Sequence, residues 1–255
     1  MQSLCERVTP AVVPKAVFFD LDETLIRHDI PVTELFQAAC RQVLTVPAGT
    51  GWDRFHQHLR QHAGQLWQNI ARHRGRGEAA FRSMFRSSLL HVGDDPALAE
   101  PMVDAFLELV VQSTGPTAGA HEVLDELAAA GIATGIITNG FSFLQKRKAQ
   151  AHGLTERVRF VLTSEDAGAH KPDPQIFRMA LDAIGVDAHD CWHVGDHRDH
   201  DIAGALNAGL AAVWFAPDPP APDAAFEVAS ADRRPCRVIT QLTEIPDLMA
   251  ALDRD

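Results

Sequence analysis

Six short apolar runs, rich in Val, Ile and Phe, constrain the fold of this chain more than any other feature of its sequence. Runs of this length are typical of buried parallel strands. Amphipathic helical patterns follow several of them, over residues 120–131, 173–185 and 199–209. This alternation predicts an α/β fold, a Rossmann-like three-layer parallel sheet with helices on both faces. The runs end at or near Asp20, Thr138, Ser164, Asp196, Ala216 and Thr240.

The rhythm of strands and helices breaks between residues 28 and 114, where the patterns are helical throughout. We therefore expect a helical cap domain, residues 28–114, inserted after the first strand of a core domain formed by residues 1–27 and 115–255. The turn-forming residues of Ser113–Gly119 predict a hinge where the chain returns to the core.

Composition argues against several other classes of protein. The chain has 255 residues and a net charge of −11, so we expect neither a nucleic acid polymer nor an acidic membrane as its partner. Its four cysteines are scattered, and no apolar run approaches the roughly 20 residues of a membrane span. The first residues lack the pattern of a signal peptide. We expect reduced thiols and a cytoplasmic location, and the sequence makes no prediction of oligomeric state.

Polar side chains that can bind a cation or a phosphate follow four of the apolar runs. Because ligands bind at the carboxyl ends of parallel strands, these side chains are expected to form one site. Clustered carboxylates repel one another, which favours a bound cation, and oxygen ligands suit Mg²⁺. The residues are Asp20, Asp22, Thr24, Thr138, Asn139, Lys171, Asp196 and Asp201.

Four short motifs occur in order at these strand ends: "DLDET", the Thr of "IITNG", the Lys of "HKPDP", and "GDHRDHD". In this combination the chain resembles the haloacid dehalogenase (HAD) superfamily, in its phosphatase branch, over nearly its whole length. The segments "TNGFSFLQKRKAQAHGL" and "SEDAGAHKPDPQIFRMAL" look most like those of pyrimidine 5′-nucleotidases with a helical cap. The resemblance implies a Mg²⁺-dependent phosphomonoesterase that forms an aspartyl-phosphate.

The resemblance assigns the chemistry to two aspartates. Asp20 would be the nucleophile that attacks phosphorus. Asp22 would protonate the leaving alcohol and then deprotonate the water that resolves the intermediate. Neighbouring carboxylates are expected to raise the pKa of Asp22. Glu23 is expected to face away and to take no part.

The other motif residues would hold phosphate and metal. Thr138 and the backbone of Asn139 would bind phosphate oxygens, and Lys171 would neutralise both nucleophile and phosphate. Asp201 would orient the metal shell or Lys171, although its place at a helix start also suits an N-cap. The implied Mg²⁺ ligands are Asp20, the carbonyl oxygen of Asp22, and Asp196.

The fourth motif departs from the pattern of many relatives. His197 and His200 stand where a small hydroxyl residue and an Asn are common. Together with His193 they leave zinc open as an alternative metal. His193 lies within a predicted strand, however, and is expected to face a neighbouring element.

The cap is expected to select the substrate, a small phosphorylated metabolite with a nucleoside 5′-monophosphate as the leading candidate. Sugar phosphates, acylneuraminate 9-phosphate and phosphoglycolate are alternatives. Residues 54–86 carry seven Arg and one Glu, so this basic segment either meets an anionic substrate or forms a solvated helix face. Its tip, Gly75–Gly77, could reach the active site. Phe55, Trp67 and Phe81 are expected to form the core of the cap.

Three other functions stay open. A 2-haloacid dehalogenase lacks the second aspartate of the first motif, so Asp22 and Thr24 favour phosphoester hydrolysis. A phosphomutase would need a cap that shields the aspartyl-phosphate from water. A non-catalytic binding module should have lost Asp20, Asp22, Lys171 or Asp196, and all four are present.

Overall fold

The structure is a computed structural model that describes residues 13–44, 50–218 and 236–252. Its strands are β1 (Ala16–Phe19), β2 (Ile26–His28), β3 (Thr114–Pro116), β4 (Ala133–Thr138), β5 (Val161–Thr163), β6 (Cys191–Gly195), β7 (Ala211–Phe215) and β8 (Cys236–Ile239). Within the described stretches, six of them form one sheet in the order β5-β4-β1-β6-β7-β8. All its neighbouring strands are parallel. The predicted α/β fold and its six strands are confirmed.

Helices surround this sheet and also fill the segment between β2 and β3. They are α1 (Val32–Val43), α2 (Thr50–Gln68), α3 (Gly77–Val92), α4 (Ala99–Gln112), α5 (Ala120–Ala129), α6 (Ser142–Ala151), α7 (Ser164–Ala167), α8 (Pro174–Ile184), α9 (Gly204–Ala208) and α10 (Glu244–Leu252). A π-helical turn, Arg198–Ala203, precedes α9. The pattern over residues 199–209 predicted one regular helix there, and the structure divides it into these two pieces.

Strand β1 lies at the centre of the sheet and is buried on both faces. Val17 and Phe19 pack in the apolar cluster that α5 and α10 complete. Phe18 points to the opposite face and packs in the cluster formed with α8 and α9. Successive side chains of a strand point to opposite faces, so an uninterrupted apolar run is what a strand between two helical layers requires.

A third apolar cluster joins helices α1 to α4 to one another. Phe55, Phe85 and Phe106 are buried in it. The same cluster includes Phe141 and Leu144, which lie at the start of α6 beside the sheet. The four helices therefore share a core of their own, and that core continues onto α6.

Strands β2 and β3 form an antiparallel pair where the chain leaves the sheet region and returns to it. Ile26 pairs with Pro116 and His28 with Thr114. This pairing lies at the predicted boundaries and supports the division into a core, residues 1–27 and 115–255, and a cap, residues 28–114. We keep that division as a proposal. In the described part of the chain, no helix has the length and apolarity that crossing a bilayer requires.

Candidate active site

The predicted site residues lie at the carboxyl edge of the sheet, beside its central strands. After β1 the chain continues to β4 on one side, whereas after β6 it continues to β7 on the other. Ligands of parallel α/β sheets bind where the connections diverge in this way. Asp20 directly follows β1 and its backbone N–H donates to the carbonyl of Val194 in β6 (2.8 Å). Asp196 directly follows β6, so both aspartates leave the sheet at this divergence.

A buried lysine connects three elements at this edge. The Nζ atom of Lys171 donates to Oδ1 of Asp20 (2.6 Å), to Oδ1 of Asp201 (2.6 Å) and to the carbonyl of Ile137 in β4 (2.8 Å). Three acceptors match the three protons of an ammonium group. Lys171 is 3% exposed, so these bonds form away from bulk water.

Asp201 is a second anchor of the same group. Its Oδ1 accepts a bond from Nε2 of His193 (2.9 Å), and its Oδ2 accepts one from the backbone N–H of His197 (3.0 Å). The bond from Lys171 to Asp201 is consistent with one of the two roles expected for Asp201, the orientation of Lys171, which stays a prediction. The alternative N-cap role is wrong, because Nδ1 of His197 accepts the first amide protons of the π-helical turn, from Asp199 and His200.

Asn139 fixes the loop that carries Lys171. Its Oδ1 accepts the backbone N–H of Lys171 (2.8 Å), and its Nδ2 donates to the Lys171 carbonyl (3.0 Å). The side chain of Asn139 thus binds the protein's own backbone. This arrangement leaves the predicted phosphate contact of Asn139 to its backbone.

Asp22 has a different environment, although it lies two residues from Asp20. Its Oδ2 accepts a bond from Nε2 of Gln145 (2.7 Å), and its Oδ1 forms an ion pair with Nζ of Lys148. His28 lies nearby, with Nε2 3.4 Å from Oδ1. Gln145 and Lys148 are both buried, and neither belongs to the four sequence motifs. A Gln and a Lys three positions apart on a helix that follows the second motif was the signal that could have found them.

Glu23 and Thr24 complete the turn after β1. Glu23 has a φ of +58°, and its Oε1 accepts a bond from Nδ1 of His28 (2.9 Å). Glu23 therefore supports the histidine that approaches Asp22. Thr24 is buried, and its hydroxyl has no hydrogen-bond partner among the described residues.

The two aspartates of the first motif differ in proton affinity. Burial raises the pKa of Asp20 to about 8, helped by Asp201 and opposed by Lys171. Burial also tends to raise the pKa of Asp22, but Lys148, Gln145 and His28 outweigh it and hold that pKa below its ordinary value. The expectation that neighbouring carboxylates raise the pKa of Asp22 is therefore wrong. Its nearest charged partner is an ammonium group.

Three carboxylates are arranged so that they could share a cation. Oxygens of Asp20, Asp196 and Asp201 all lie within 4.8 Å of one another. Burial and the charge of Asp201 raise the pKa of Asp196 to about 6. Carboxylates that lie close together in a buried site repel one another, and a bound cation would relieve that repulsion. The side chain of Asp22 lies outside this group; its expected metal contact was through its carbonyl oxygen.

The three histidines of the fourth motif do not form a zinc site. Among the described residues, the metal-binding arrangement found is the aspartate group, without a histidine. His193 bonds to Asp201 and meets the edge of Phe177 in α8, with ring centroids 5.2 Å apart. His193 thus faces a neighbouring element, as predicted. The rings of His197 and His200 stack on each other at 3.9 Å.

The tip of the basic segment contacts α6 and α7. The backbone N–H of Gly77, the first residue of α3, donates to Oε1 of the buried Glu165 (2.9 Å). The other oxygen, Oε2, accepts the N–H of Ser142, the first residue of α6 (2.9 Å). A Cβ atom at Gly77 would lie 2.4 Å from Oε2 of Glu165 and 2.6 Å from the ring of Phe141. One carboxylate therefore joins the starts of two helices.

Part of the basic segment is neutralised by acids. Arg82 bonds to Glu78, Glu100 and Asp104, and Arg86 bonds to Glu100. For these two arginines the structure favours a solvated helix face over a substrate contact. Phe55 and Phe81 are buried in the helical core, as expected, whereas Trp67 is half exposed and packs on Phe141.

Comparison with known proteins identifies the family. The model of the haloacid dehalogenase-like hydrolases matches residues 14–209. The chain belongs to the haloacid dehalogenase-like hydrolase family. The chain is 31% identical to the ribulose-1,5-bisphosphate 5-phosphatase of Halopiger xanaduensis, over 92% of this chain and 99% of that protein. It is 36% identical to the pyrimidine 5′-nucleotidase YjjG of Escherichia coli, over 44% of this chain and 50% of that protein.

A solved structure shows the same fold over nearly the whole chain. The 2-haloacid dehalogenase from Pseudomonas syringae pv. Tomato DC3000 has a TM-score of 0.71 and 31% identity, covering 94% of this chain and 99% of that one. The predicted membership of the HAD superfamily is confirmed, and relatives named as phosphatases confirm an enzyme of the phosphatase type.

Proposed function

We propose that the protein is a Mg²⁺-dependent phosphomonoesterase that acts through an aspartyl-phosphate on a small phosphorylated metabolite. The observation that carries this proposal is the different setting of two aspartates two residues apart. Asp20 is bonded to Lys171 beside two further carboxylates, whereas Asp22 is held separately by Gln145 and Lys148. One residue is thus suited to attack phosphorus and the other to move a proton.

A dehalogenase is the function that this arrangement disfavours. A halide leaves without a proton, so a dehalogenase has no use for a second aspartate held beside the nucleophile. Here two buried polar side chains, Gln145 and Lys148, hold Asp22 in place. Burying an amide or an ammonium group is unfavourable unless the group is paired. A proton-transfer role for Asp22 explains why the protein buries both groups beside it.

Asp20, Asp196 and Asp201 form an acid group whose arrangement fits a hard divalent cation. Its donors are all carboxylate oxygens, which suit Mg²⁺, and burial raises the pKa values of Asp20 and Asp196, with the charge of Asp201 adding to both increases. We expect Asp20, Asp196 and the carbonyl of Asp22 to hold the ion, with Asp201 in support. When bound, the cation would offset the negative charge of the carboxylates and of the phosphate.

The protein's own residues would then act in two steps. Asp20 attacks phosphorus, the bond to the leaving oxygen breaks, and that oxygen takes a proton from Asp22. Asp22, now a carboxylate, takes a proton from water as the water attacks phosphorus and releases Asp20 and inorganic phosphate. Lys171 balances charge on Asp20, and Thr138 with the backbone of Asn139 binds phosphate oxygens. Because Lys148, Gln145 and His28 hold the pKa of Asp22 below its ordinary value, this residue must gain a proton before the first step.

The leading substrate candidate stays a nucleoside 5′-monophosphate. A cavity of about 290 Å³ lies between α1, α2, α3, α4 and the start of α6, and Phe36, Phe81 and Phe141 are among its mostly apolar lining. The motif residues are not part of this lining, so the cavity would take a part of the substrate remote from the phosphate, and an apolar lining suits a flat base better than a bare sugar. Sugar phosphates remain the alternative, since a sugar bisphosphate phosphatase is similar over nearly the whole chain. A cytoplasmic location and the absence of a nucleic acid polymer as partner remain predictions.

The first experiment is hydrolysis of p-nitrophenyl phosphate with Mg²⁺. We expect turnover by the wild type and a loss of at least about a thousandfold in Asp20→Asn, because the nucleophile is removed. Asp182→Asn, an exposed aspartate on α8, is the matched control and should retain full activity. Equal activity in Asp20→Asn, or halide release from 2-chloropropionate without phosphate release, would overturn the proposal.

A panel of phosphorylated metabolites tests the substrate. Pyrimidine and purine 5′-monophosphates should be compared with ribulose 1,5-bisphosphate, phosphoglycolate and acylneuraminate 9-phosphate at equal concentration. We expect the highest kcat/KM for a nucleotide. Rapid turnover of a sugar phosphate with no nucleotide hydrolysis would exclude the nucleotidase and leave the phosphatase intact.

A further inference from the structure

Helix α6 brings two buried polar side chains to Asp22. Gln145 Nε2 donates to Oδ2 of Asp22, and Lys148 Nζ pairs with Oδ1. Each carboxylate oxygen thus has a partner from the same rigid helix. Two contacts at opposite oxygens fix both the position of the carboxylate and the rotation of its plane.

Gln145 also connects Asp22 to the second motif. Its Nε2 lies 2.6 Å from Oγ1 of Thr138 and 3.2 Å from the carbonyl of Asn139. An amide nitrogen carries two protons, so it cannot serve three acceptors fully at once. A phosphate that binds Thr138 therefore changes the acceptors around Gln145, and Gln145 is bonded to Asp22.

Packing alone does not account for these residues. Leu144 of α6 packs with the cap helices, and Ala149 packs against the sheet. An apolar pair at positions 145 and 148 would bury the same helix face without the cost of desolvating an ammonium group. Because the protein buries the Lys148 ammonium group despite this cost, we assign Gln145 and Lys148 a role in holding Asp22.

We propose that Gln145 and Lys148 are positioning residues for proton transfer by Asp22, an inference that rests on the proposed phosphatase function. They hold the Asp22 carboxyl in one orientation, so that its proton passes to the leaving oxygen as the phosphorus–oxygen bond breaks. They hold the same carboxylate for the later step, in which it takes a proton from water. Neither residue is assigned contact with the reacting atoms.

The dependence on the leaving group tests this role. A p-nitrophenolate leaves readily without a proton, whereas an alkoxide needs one. The value of kcat/KM covers only the steps up to release of the alcohol or phenol. We therefore expect Lys148→Met to lower kcat/KM for β-glycerol phosphate by about 10- to 100-fold, within the range of general acid catalysis. For p-nitrophenyl phosphate we expect a change below about threefold.

A second readout isolates the hydrolysis step. With p-nitrophenyl phosphate, Lys148→Met should release about one equivalent of p-nitrophenol in a burst and then turn over slowly, because the held base is needed to activate water. Gln145→Leu removes the amide but keeps the ion pair, and should show the same two signatures more weakly. Lys146→Met, a half-exposed lysine of α6 that pairs with Asp166, is the matched control and should behave as the wild type.

The outcomes separate this inference from the function on which it rests. Equal loss on both substrates in Lys148→Met and in Gln145→Leu would show a merely structural role, and no loss on either would show no role. Both results would overturn the inference and leave the phosphatase standing. Failure of the wild type to hydrolyse either phosphate ester with Mg²⁺ would overturn the proposed function and the inference with it.

Discussion

Asp20 and Asp22 have the same side chain and lie two residues apart, but the groups around them differ in net charge. Lys171 is shared between Asp20 and Asp201, with Asp196 close by. Lys148 pairs with Asp22 and is helped by Gln145 and His28. The first group has more negative than positive charge, and the second is balanced.

The difference shows how one short motif can supply two chemical roles. Burial raises the pKa of Asp20 to about 8, so its group gains from an added cation. The pKa of Asp22 is lowered against the effect of burial, so its group has no such need. The elements packed against the motif set these roles, since both residues leave the same strand.

The largest expected difference between the Asp20 group and the Asp22 group is in what the lysine of each contributes to the free energy of unfolding. Lys171→Met leaves Asp20 and Asp201 buried without their cation, and we expect a loss of about 3–5 kcal/mol in the free energy of unfolding. Lys148→Met should cost less than about 2 kcal/mol, because Asp22 keeps Gln145 and its side chain is 30% exposed. Urea unfolding in EDTA measures the free energy of unfolding of both variants, with Lys146→Met as the control. Equal costs would contradict the comparison.

The second-largest expected difference between the Asp20 group and the Asp22 group is in metal binding. At a hundredfold excess over Kd, Mg²⁺ should stabilise the wild type by about 2.7 kcal/mol. Asp196→Asn should lose most of that gain, because it removes a carboxylate from the acid group. Asp22→Asn should keep it, since the side chain of Asp22 lies outside that group. Urea unfolding with and without Mg²⁺ is the measurement, and a Mg²⁺ effect lost in Asp22→Asn alone would reverse the assignment.

The turn between the two groups can be tested at Glu23. At a φ of +58° a residue with a Cβ atom is strained relative to glycine by about 1–2 kcal/mol. Glu23→Gly should therefore be more stable than Glu23→Ala by about 1 kcal/mol, after the extra freedom of glycine in the unfolded chain is allowed for. Thermal unfolding of the two variants gives the difference. A more stable Ala variant would show that the backbone here is not strained.

The smallest expected effect concerns Asp166, a carboxylate of α7 outside both groups. Burial tends to raise its pKa, but bonds from Ser142, Lys146 and Thr163 outweigh it and hold the pKa below its ordinary value. Its contribution to stability is therefore complete above the unfolded pKa of about 3.9 and is lost as pH falls through the lower, folded pKa.

Asp166→Asn should accordingly destabilise by less than about 1 kcal/mol at neutral pH, because the group is partly exposed. The difference from the wild type should shrink in acid, as measured by urea unfolding at about pH 7 and about pH 3. If the stability difference between Asp166→Asn and the wild type grew as pH fell, the folded-state pKa of Asp166 would be raised, unlike that of Asp22.

The strand ends could be predicted from sequence because each depends on a local pattern. An apolar run followed by a carboxylate places Asp20 at the edge of the sheet, whatever the rest of the chain does. The same reasoning placed Asp196, whereas Lys171 was found through its motif, since it lies beyond α7 and not at the end of β5. Partners contributed by a distant helix could not be found in this way, because no pattern at the strand end links Asp22 to Gln145, which lies 123 positions further along the chain.

The error about the pKa of Asp22 has the same origin. From sequence alone its visible neighbours were the carboxylates of its own motif, whose charge raises a pKa. The ammonium group of Lys148 lies on α6, a helix whose buried positions mix Leu144 and Ala149 with Gln145 and Lys148. That mixture weakens the apolar periodicity by which helices are recognised.

The bond between Gly77 and Glu165 has a consequence for comparing relatives. Because a Cβ atom at position 77 would overlap Glu165 and Phe141, the two positions are linked although they lie 88 residues apart. A relative with a larger residue at the first position must carry a shorter one at the second, or seat its helical segment differently on α6. The pair can therefore serve as a two-position marker that sorts family members by how their caps are attached, independently of the motifs they share.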